Sequence, residues 1–407
     1  MSLNRKHTND AVILSAARTP IGRFQGALAA LDAPHLGAVA IRAAVERAGV
    51  APAAIEEVLM GQVVQAGSGL APARRAAIYA GLPPEVGATS LNKACGSSLK
   101  TVMFAAQAVR AGDADLLVAG GMESMSQAPY LVRARQRFRF GHQQAEDSLI
   151  TDGLWCSFEE WMMGDAAEFI GDEYEVTRRE MDQFAFDSHQ KAIAAIDAGK
   201  LRAEIAPVEV NGKAHGAKVK GPSLIDTDEA PRRDTSLEAL ARLKPAFQPD
   251  GKVTAGNAPG LNDGAAALVV ASRQQADALG RPPLARIVGY AQAAVEPKRI
   301  FIAPAYAIPK LLDKIGWTLA DVDLIELNEA FAAQVLADGR ALAGRGWDWS
   351  KVNVHGGAIA LGHPLGASGA RVLVTLLYAL RDRGQKRGLA SLCLGGGESV
   401  ALAVELE

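Results

Sequence analysis

Short apolar runs alternate along the chain with segments in which apolar residues recur every three or four positions. The runs at 115–119, 265–271 and 388–394 have the length and character of buried strands. Between such runs, apolar residues at helical spacing predict helices, one of which follows Cys95 and stops near Gly112. This alternation predicts an α/β fold built around a largely buried sheet.

The second half of the chain repeats the order of elements found in the first. Residues 49–62 and 316–329 each contain a glycine that ends a helix, a capped turn and an apolar strand. Each half then has a helix-opening turn, a strand and the pattern Gly-Gly-x-Glu-Ser, at 120–124 and at 395–399. We expect two α/β halves of like topology, although glycine after a strand is common in any α/β protein.

Residues 127–252 differ from both halves because they are richer in charge and proline. Arginines alternate there, which is typical of a solvated or subunit-facing segment, and a phosphate-binding role is the weaker alternative; they are Arg133, Arg135, Arg137 and Arg139. A helical pattern follows over 178–199. We expect an N-terminal half at 1–126 plus 253–276, an inserted loop domain at 127–252 and a C-terminal half at 277–407.

Composition and charge narrow the class of protein. The 407 residues include 43 Lys and Arg against 45 Asp and Glu, and the net charge of −2 argues against nucleic acid or an anionic membrane as a partner. No apolar run approaches the roughly 18 residues of a membrane helix. Three scattered cysteines and the lack of targeting signals predict a cytoplasmic protein. Glycine, at 41 residues, exceeds its usual share of roughly 7%.

Cys95 lies where a predicted strand gives way to a helix. Unpaired N–H groups and the helix dipole stabilise a thiolate at that position, which is typical of an activated nucleophile. Ser97 or Ser98 could cap the helix, and Gly96 would permit an unusual backbone angle. The alternative is a buried structural cysteine.

Cys393 ends an apolar strand and is followed by Gly395–Gly397, whose N–H groups could form an anion-binding nest. A small strand residue is the alternative role for this cysteine. His363 precedes the second helix-opening turn, which is the counterpart of the Cys95 turn. If a pseudo-twofold axis relates the halves, His363 and both cysteines converge at one place.

Two further polar residues are candidates for the same site. Asn328 follows a predicted strand and precedes a predicted helix at 330–342, so it either caps that helix or presents its amide to a bound carbonyl or water. His355, beside Gly356-Gly357, is a second histidine candidate or a loop residue.

Motifs of several other enzyme classes do not occur. Dinucleotide-binding and P-loop glycine patterns are lacking, as are the zinc motif H-E-x-x-H and the serine hydrolase elbow G-x-S-x-G. We therefore expect no nicotinamide, no nucleoside triphosphate and no metal.

Four segments resemble the signature blocks of thiolases, and the likeness runs in order from about residue 11 to 405. The blocks are Asn92–Lys100, Asn328–Ala332, Gly356–Arg371 and Cys393–Gly397. Residues 18–22 and 256–266 are also similar to thiolase sequence. The resemblance implies a duplicated α-β-α-β-α layered fold with an inserted loop domain, and ping-pong acyl transfer between coenzyme A thioesters.

The resemblance also implies a role for each central residue. Cys95 would carry the acyl group with the help of His363, and Cys393 would remove an α-proton from a second acetyl-CoA. His363 and a water held by Asn328 would bind the enolate oxygen. The N–H groups of Cys95 and Gly395 would bind the acyl carbonyl.

By matching positions, Arg232 would contact a phosphate of coenzyme A, and other residues would line the pantetheine and acyl channel: Leu154, Met163, Phe247, Pro259, Ala330 and Phe331. No cofactor is implied beyond the acyl-CoA and CoA substrates. A homodimer or homotetramer is implied, with 127–145 resembling a tetramer-forming loop.

The chain departs from the thiolase pattern at four places. Met162 replaces a frequent His, Pro259 a frequent Ser, His355 a common Asn, and Glu398-Ser399 a common small or apolar pair. Met162 and Pro259 would line the substrate path and so affect acyl-chain preference.

Three alternatives stay open beside acetyl-CoA acetyltransferase. They are a degradative 3-ketoacyl-CoA thiolase of broader chain length, a decarboxylating condensing enzyme similar to ketoacyl synthases, and a non-catalytic acyl-CoA-binding relative.

Overall fold

The computed structural model describes residues 10–135, 140–210 and 223–407. The strands are β1 Ala11–Arg18, β2 Gly22–Arg23, β3 Glu57–Gly61, β4 Gly87–Leu91, β5 Leu116–Ser124, β6 Tyr130–Leu131, β7 Glu146–Asp147, β8 Trp155–Cys156, β9 Trp161–Met162, β10 Val208–Val210, β11 Ser223–Ile225, β12 Asn262–Ser272, β13 Ala285–Ala294, β14 Leu324–Leu327, β15 Arg387–Leu394 and β16 Glu398–Leu406. The α-helices are α1 Ala33–Ala48, α2 Pro72–Tyr79, α3 Ser97–Ala111, α4 Met163–Glu173, α5 Arg178–Asp197, α6 Leu237–Ala241, α7 Arg273–Ala278, α8 Pro304–Ile315, α9 Ala332–Leu342, α10 Ala358–Leu361 and α11 Ser368–Arg383.

The two halves of the main sheet have equivalent strand orders when each is followed from the outer edge to the centre. Its order is β14-β15-β16-β13-β1-β12-β5-β3-β4, with β2 added beside β12. In each half a parallel pair, β3–β5 or β14–β15, is followed by two antiparallel strands, β12–β1 or β16–β13. The halves join where β1 and β13 pair over two residues. The predicted duplication is therefore confirmed.

Helices and half-sheets form five layers. One buried cluster contains α3, α11 and one face of both half-sheets. A second cluster packs α1 and α2 on the outer face of the first half-sheet, and a third packs α8 and α9 on that of the second. Because successive strand residues face opposite layers, apolar residues fill both faces of each half-sheet. This is the expected α-β-α-β-α arrangement.

Most predicted elements occur with small shifts in their ends. The strand predicted at 265–271 is β12, which covers 262–272. Helix α5 ends at Asp197 rather than Gly199, and α9 begins at Ala332 rather than Ala330. One expectation is wrong, because β5 does not stop at Ala119 but continues through Gly120-Gly121 to Ser124. The second copy of the glycine pattern instead turns the chain between β15 and β16.

Residues 127–252 contain the short strands β6 to β11 and the helices α4 to α6. Arg133 and Arg135 are exposed, and Arg133 pairs with Glu146 at 3.2 Å. Arg137 and Arg139, which belong to the same predicted segment, lie outside the described residues. The division into two halves and an insertion stays a prediction.

Within the described ranges, no helix is long and apolar enough to cross a membrane. No three His, Cys, Asp or Glu side chains lie close enough to hold a metal ion in that same part of the chain. Cys95, Cys156 and Cys393 are all free thiols.

Candidate active site

A tight turn of Asn92–Gly96, the nucleophile loop, presents Cys95 at the start of α3. The Asn92 side-chain oxygen accepts a hydrogen bond from the Ala94 N–H at 3.0 Å, and the Lys93 N–H donates to the Ser97 hydroxyl at 2.8 Å. Ala94 has a φ of 44°, a left-handed conformation that is costly for a residue with a side chain. The loop thus holds strain immediately before the cysteine.

Two details of this turn differ from the expectations. Gly96 rather than Ser97 or Ser98 occupies the N-cap position, and no side chain caps the helix. Gly96 has an ordinary φ of −89°. Glycine is required there by space, because an added Cβ would lie 2.0 Å from a methyl carbon of Leu394. The N-cap and backbone-angle predictions were therefore wrong.

The two helix-opening turns meet where α3 crosses α11. The Ser98 hydroxyl accepts a hydrogen bond from the Ala370 N–H at 2.8 Å. A Cβ at Gly369 would lie 2.4 Å from the Leu99 nitrogen, so only glycine allows this approach. The crossing brings His363 and Cys95 to one cavity, as the duplication predicted.

Hydrogen bonds define the orientation of His363. Its Nδ1 lies 2.6 Å from the Ser368 hydroxyl, and that hydroxyl donates to the Pro364 carbonyl at 2.8 Å. The Ser368 oxygen must therefore accept a hydrogen bond from the Nδ1–H of His363, which leaves Nε2 with a free lone pair. Burial, reinforced by the Arg371 cation, lowers the pKa of His363 to about 3, so the ring is neutral at physiological pH.

Asn328 lies beside this histidine and does not cap a helix. Its Nδ2 is 3.5 Å from the His363 Nε2, and its Oδ1 is 3.5 Å from an Arg371 nitrogen. Phe331, not Asn328, occupies the N-cap position of α9. Of the two roles left open by the sequence, helix capping does not occur. Asn328 is fully buried beside His363, and it does not line the cavity that contains Cys95 and His363.

The two candidate thiols are both surrounded by protein. The Cys95 residue is partly exposed, yet desolvation of its sulfur raises the pKa of the thiol to about 11. The N–H groups of Cys95 and Gly395 donate toward that sulfur and oppose the rise. Burial, with the nearby Cys95 sulfur, raises the pKa of Cys393 well above its usual range. Burial of the Cys95 sulfur therefore outweighs the stabilisation of a thiolate that the sequence predicts from the helix N-terminus.

A mostly apolar cavity of about 170 Å³ joins these groups. Cys95, His363, Cys393 and Gly395 all line it. Every channel residue implied by the resemblance lines it too: Leu154, Met163, Phe247, Pro259, Ala330 and Phe331. Met162, where the sequence departs from the thiolase pattern, is also part of the wall. The walls come from both halves and from residues 127–252.

Aromatic packing shapes one wall of this cavity. Phe331 makes edge contacts with Phe247 and Phe301, at ring-centre distances of 6.3 and 5.3 Å. A Cβ at Gly164 would lie 2.2 Å from the Phe247 ring, so the glycine makes room for it.

Arg232 lies apart from the thiols, in an adjoining cavity of about 340 Å³. The two cavities share the lining residues Ala258, Gly260 and Leu261, so they lie on either side of the same short segment. The Arg232 side chain is exposed, and its backbone N–H donates to the His189 Nδ1 at 3.2 Å.

The sequence reasoning did not identify the supporting role of Glu123. This fully buried carboxylate accepts hydrogen bonds from the N–H groups of Val63, Val64 and Gly366. Glu123 thereby ties the turn after His363 to the loop after β3. Its place in the repeated Gly-Gly-x-Glu-Ser pattern was a signal that could have identified it.

His355 does not join the site. It is buried, lies 3.7 Å from an Asp382 oxygen, and does not line the cavity that contains His363. Of its two proposed roles, the loop residue fits better.

The assembled groups suit acyl transfer. A neutral imidazole can accept a proton from a neighbouring thiol, and a second thiol can accept one from a carbon acid. Two converging N–H groups can stabilise an oxyanion in a cavity that excludes water.

Comparison with known proteins identifies relatives along nearly the whole chain. The family model described as "Thiolase, N-terminal domain" matches residues 11–274, and "Thiolase, C-terminal domain" matches 281–406. An acetyl-CoA acetyltransferase of Pseudomonas aeruginosa is 55% identical over 97% of this chain and 99% of its own length. One from Cupriavidus necator is 53% identical over 97% and 99%.

Solved structures agree with these relatives. The crystal structure of the Bacillus anthracis acetyl-CoA acetyltransferase superposes with a TM-score of 0.93 at 42% identity, covering 98% of this chain and 99% of that one. The structure of acetyl-CoA acetyltransferase from Syntrophomonas wolfei gives a TM-score of 0.94 at 42% identity, over 98% and 100%.

Proposed function

The chain belongs to the thiolase family of acyltransferases, and on that premise we propose that it is an acetyl-CoA acetyltransferase. It would condense two acetyl-CoA molecules to acetoacetyl-CoA and CoA, or run the reverse thiolysis. The observation that carries this proposal is the convergence of Cys95, His363, Cys393 and Gly395 on one apolar cavity.

In the first half-reaction Cys95 becomes acetylated. His363 Nε2 takes the thiol proton as the sulfur attacks the thioester carbon, and the N–H groups of Cys95 and Gly395 hold the resulting oxyanion. The carbon–sulfur bond to coenzyme A then breaks. The Cys393 thiol gives its proton to the departing thiolate, which leaves a Cys393 thiolate beside the His363 imidazolium. A neutral His363 suits this role because it must begin as a proton acceptor.

In the second half-reaction the Cys393 thiolate removes a proton from the methyl group of a second acetyl-CoA. The Nε2–H of the His363 imidazolium and a water held by Asn328 stabilise the enolate oxygen. The 3.5 Å separation of the His363 Nε2 and the Asn328 Nδ2 supports a shared site for it. The enolate carbon attacks the acetyl carbon and a carbon–carbon bond forms. The Cys95 sulfur leaves and takes the proton back from His363 as acetoacetyl-CoA is released.

Coenzyme A would enter through the two adjoining cavities. The exposed Arg232 in the outer cavity would contact a phosphate group, and the apolar inner cavity would take the pantetheine arm. Cys393, an acid–base thiol beside Cys95, favours proton removal from acetyl-CoA over decarboxylation of a malonyl thioester.

A homo-oligomer, dimer or tetramer, is part of the same proposal, as is a cytoplasmic location. The segment 127–145 would make subunit contacts. Support for them comes from three large apolar side chains that are exposed in the single chain: Tyr130 at 68%, Val132 at 49% and Phe140 fully exposed. Light scattering of purified protein should give a mass of two or four chains, and a monomer would contradict the proposal.

Purified protein should cleave acetoacetyl-CoA only when free CoA is supplied. Cys95→Ser should lose nearly all turnover because the weaker hydroxyl nucleophile lacks a sufficiently strong base. Cys156→Ser is the matched control, since Cys156 is buried and does not line the cavity, so this variant should leave turnover unchanged.

Full turnover by the Cys95→Ser variant would contradict the mechanism. A panel of 3-ketoacyl-CoA substrates of increasing length tests the acyl range, and faster cleavage of long chains than of acetoacetyl-CoA would replace the acetyl assignment with a broader thiolase.

A further inference from the structure

An ion pair joins the nucleophile loop to the glycine hairpin, the segment Leu394–Glu398 between β15 and β16. The Lys93 Nζ lies 2.6 Å from a Glu398 carboxylate oxygen. Lys93 belongs to the N-terminal half of the sheet and Glu398 to the C-terminal half, so this contact crosses between them. Neither residue lines either cavity of the site.

Each of the two joined segments supplies one N–H group to the same sulfur. The Cys95 N–H comes from the nucleophile loop and the Gly395 N–H from the glycine hairpin. The distance between these donors therefore depends on how the two segments sit against each other. An oxyanion needs both donors at hydrogen-bond distance simultaneously.

Besides the ion pair and the contact of the Gly395 N–H with the Cys95 sulfur, apolar groups of the two segments pack together. The Leu394 side chain covers Gly96, and a Cβ placed on Gly395 would lie 3.4 Å from the Ala94 methyl group. Among the described residues, Lys93–Glu398 is the one hydrogen bond between side chains of the two segments. Leu394 and Glu398 are opposite each other across the hairpin, so both reach toward the nucleophile loop from one face.

We propose that Lys93 and Glu398 form a clamp that sets the spacing of the Cys95 and Gly395 N–H donors during acyl transfer. Both are positioning residues, since neither touches the reacting atoms. This inference rests on the proposed function. It also assigns a role to Glu398, which stands where thiolases commonly carry a small or apolar residue.

The solvent exposure of the Lys93–Glu398 ion pair implies that it has a moderate, salt-dependent effect on the acylation rate. The Lys93 side chain is 20% exposed and that of Glu398 is 37% exposed, so water and ions screen the pair. Lys100, on the first turn of α3, adds a second positive charge near Glu398 and contacts the Gln292 side-chain oxygen at 3.3 Å. Loss of Lys93 would leave Glu398 to turn toward Lys100.

The test is a double-mutant cycle with Lys93→Met, Glu398→Gln and both together, read as the rate of acyl-enzyme formation after rapid quenching. Each single variant should slow acetylation of Cys95 about three- to fivefold at saturating acetyl-CoA. KM should be unchanged, and the double variant should be no slower than the slower single variant. The charge-reversed pair, Lys93→Glu with Glu398→Lys, should recover part of the lost rate.

The matched control is Lys200→Met, which breaks the Lys200–Asp382 pair of equal length, 2.6 Å, and similar exposure far from both segments. It should leave the acylation rate unchanged. High salt should slow acetylation of the wild-type protein toward the rate of the single variants and should affect the double variant less. This comparison is made within each protein, so differences in folding between the variants do not affect it.

Wild-type acylation rates in both single variants, or single effects that multiply in the double variant, would overturn the clamp. Either result leaves the proposed function intact as long as wild-type protein acetylates Cys95. Failure of the wild-type protein to do so would instead contradict the proposed function itself.

Discussion

The pattern Gly-Gly-x-Glu-Ser occurs twice at equivalent strands, and the two copies do different work. In the first copy, Gly120 and Gly121 stay within β5, and Glu123 is fully buried among three backbone N–H donors. A Cβ at Gly121 would lie 2.1 Å from the Gly366 carbonyl oxygen. Glycine there permits close approach of the His363 turn to the strand.

In the second copy the strand ends and the chain reverses. Gly396 and Gly397 have φ values of 89° and 90°, which other residues rarely adopt. The reversal frees the Gly395 N–H for the Cys95 sulfur and leaves Glu398 half-exposed against Lys93. One copy therefore supports the turn that follows His363, and the other presents a backbone N–H to the Cys95 sulfur.

The largest effect on turnover should come from removing His363, the proposed base. His363→Ala should lower kcat/KM about 10²- to 10⁴-fold at pH 7, since the Cys95 proton loses its acceptor. The control is His355→Ala, and the thermal stability and turnover of the two variants are compared. That control removes a buried histidine of the same half that does not line the cavity, and its turnover should be unchanged. Equal losses in the two variants would show that His363 acts only in folding.

The pH dependence of the acylation rate also distinguishes a catalytic role of His363 from a role in folding alone. Burial lowers the pKa of His363 to about 3 and raises that of Cys95 to about 11, so both groups stay neutral from pH 5.5 to 8.5. Acylation by wild-type protein should be nearly flat over this range, because the neutral base and the neutral thiol are both fully populated. In His363→Ala the thiolate must form unaided, so the rate should rise about tenfold per pH unit.

The measurement is the rate of acyl-enzyme formation at a series of pH values at constant ionic strength. An acid limb in the wild-type profile centred near pH 6.5 would mean that His363 titrates as a solvated imidazole, against its burial.

The smallest expected effects are changes in the free energy of unfolding when a glycine of either copy of the Gly-Gly-x-Glu-Ser pattern is replaced by alanine. Gly121→Ala forces a methyl group against backbone of the His363 turn and should cost about 1–3 kcal/mol or more. Gly396→Ala meets nothing closer than 3.7 Å and should cost only the left-handed backbone penalty, about 1–2 kcal/mol. Denaturant unfolding compares them, and a smaller loss for Gly121→Ala would refute the supporting role of the first copy.

The sequence was sufficient to predict the duplication, because each half repeats a glycine helix end, a strand and a helix-opening turn in order. From that duplication followed the convergence of Cys95 and His363. The strand β12 and the C-terminal end of α3 were also predictable, since an apolar run and a terminal glycine define them locally.

Features set by distant contacts were not predictable. Ser98 resembles a helix cap in the local sequence, but its hydroxyl accepts a hydrogen bond from Ala370, 272 positions away. Gly96 resembles a residue chosen for its backbone angle, yet Leu394 requires it for space. The thiol pKa values depend on how much protein surrounds each sulfur, which the sequence around Cys95 and Cys393 does not reveal.

The central claim is that Cys95 carries the acyl group while Cys393 moves the proton. Cys393→Ala should be mixed with acetyl-CoA, quenched with acid, digested and analysed by peptide mass spectrometry. The account predicts close to one acetyl group per chain on the peptide containing Cys95, one released CoA and no acetoacetyl-CoA. An acetyl group on any other residue, or acetoacetyl-CoA formed at the wild-type rate, would contradict it.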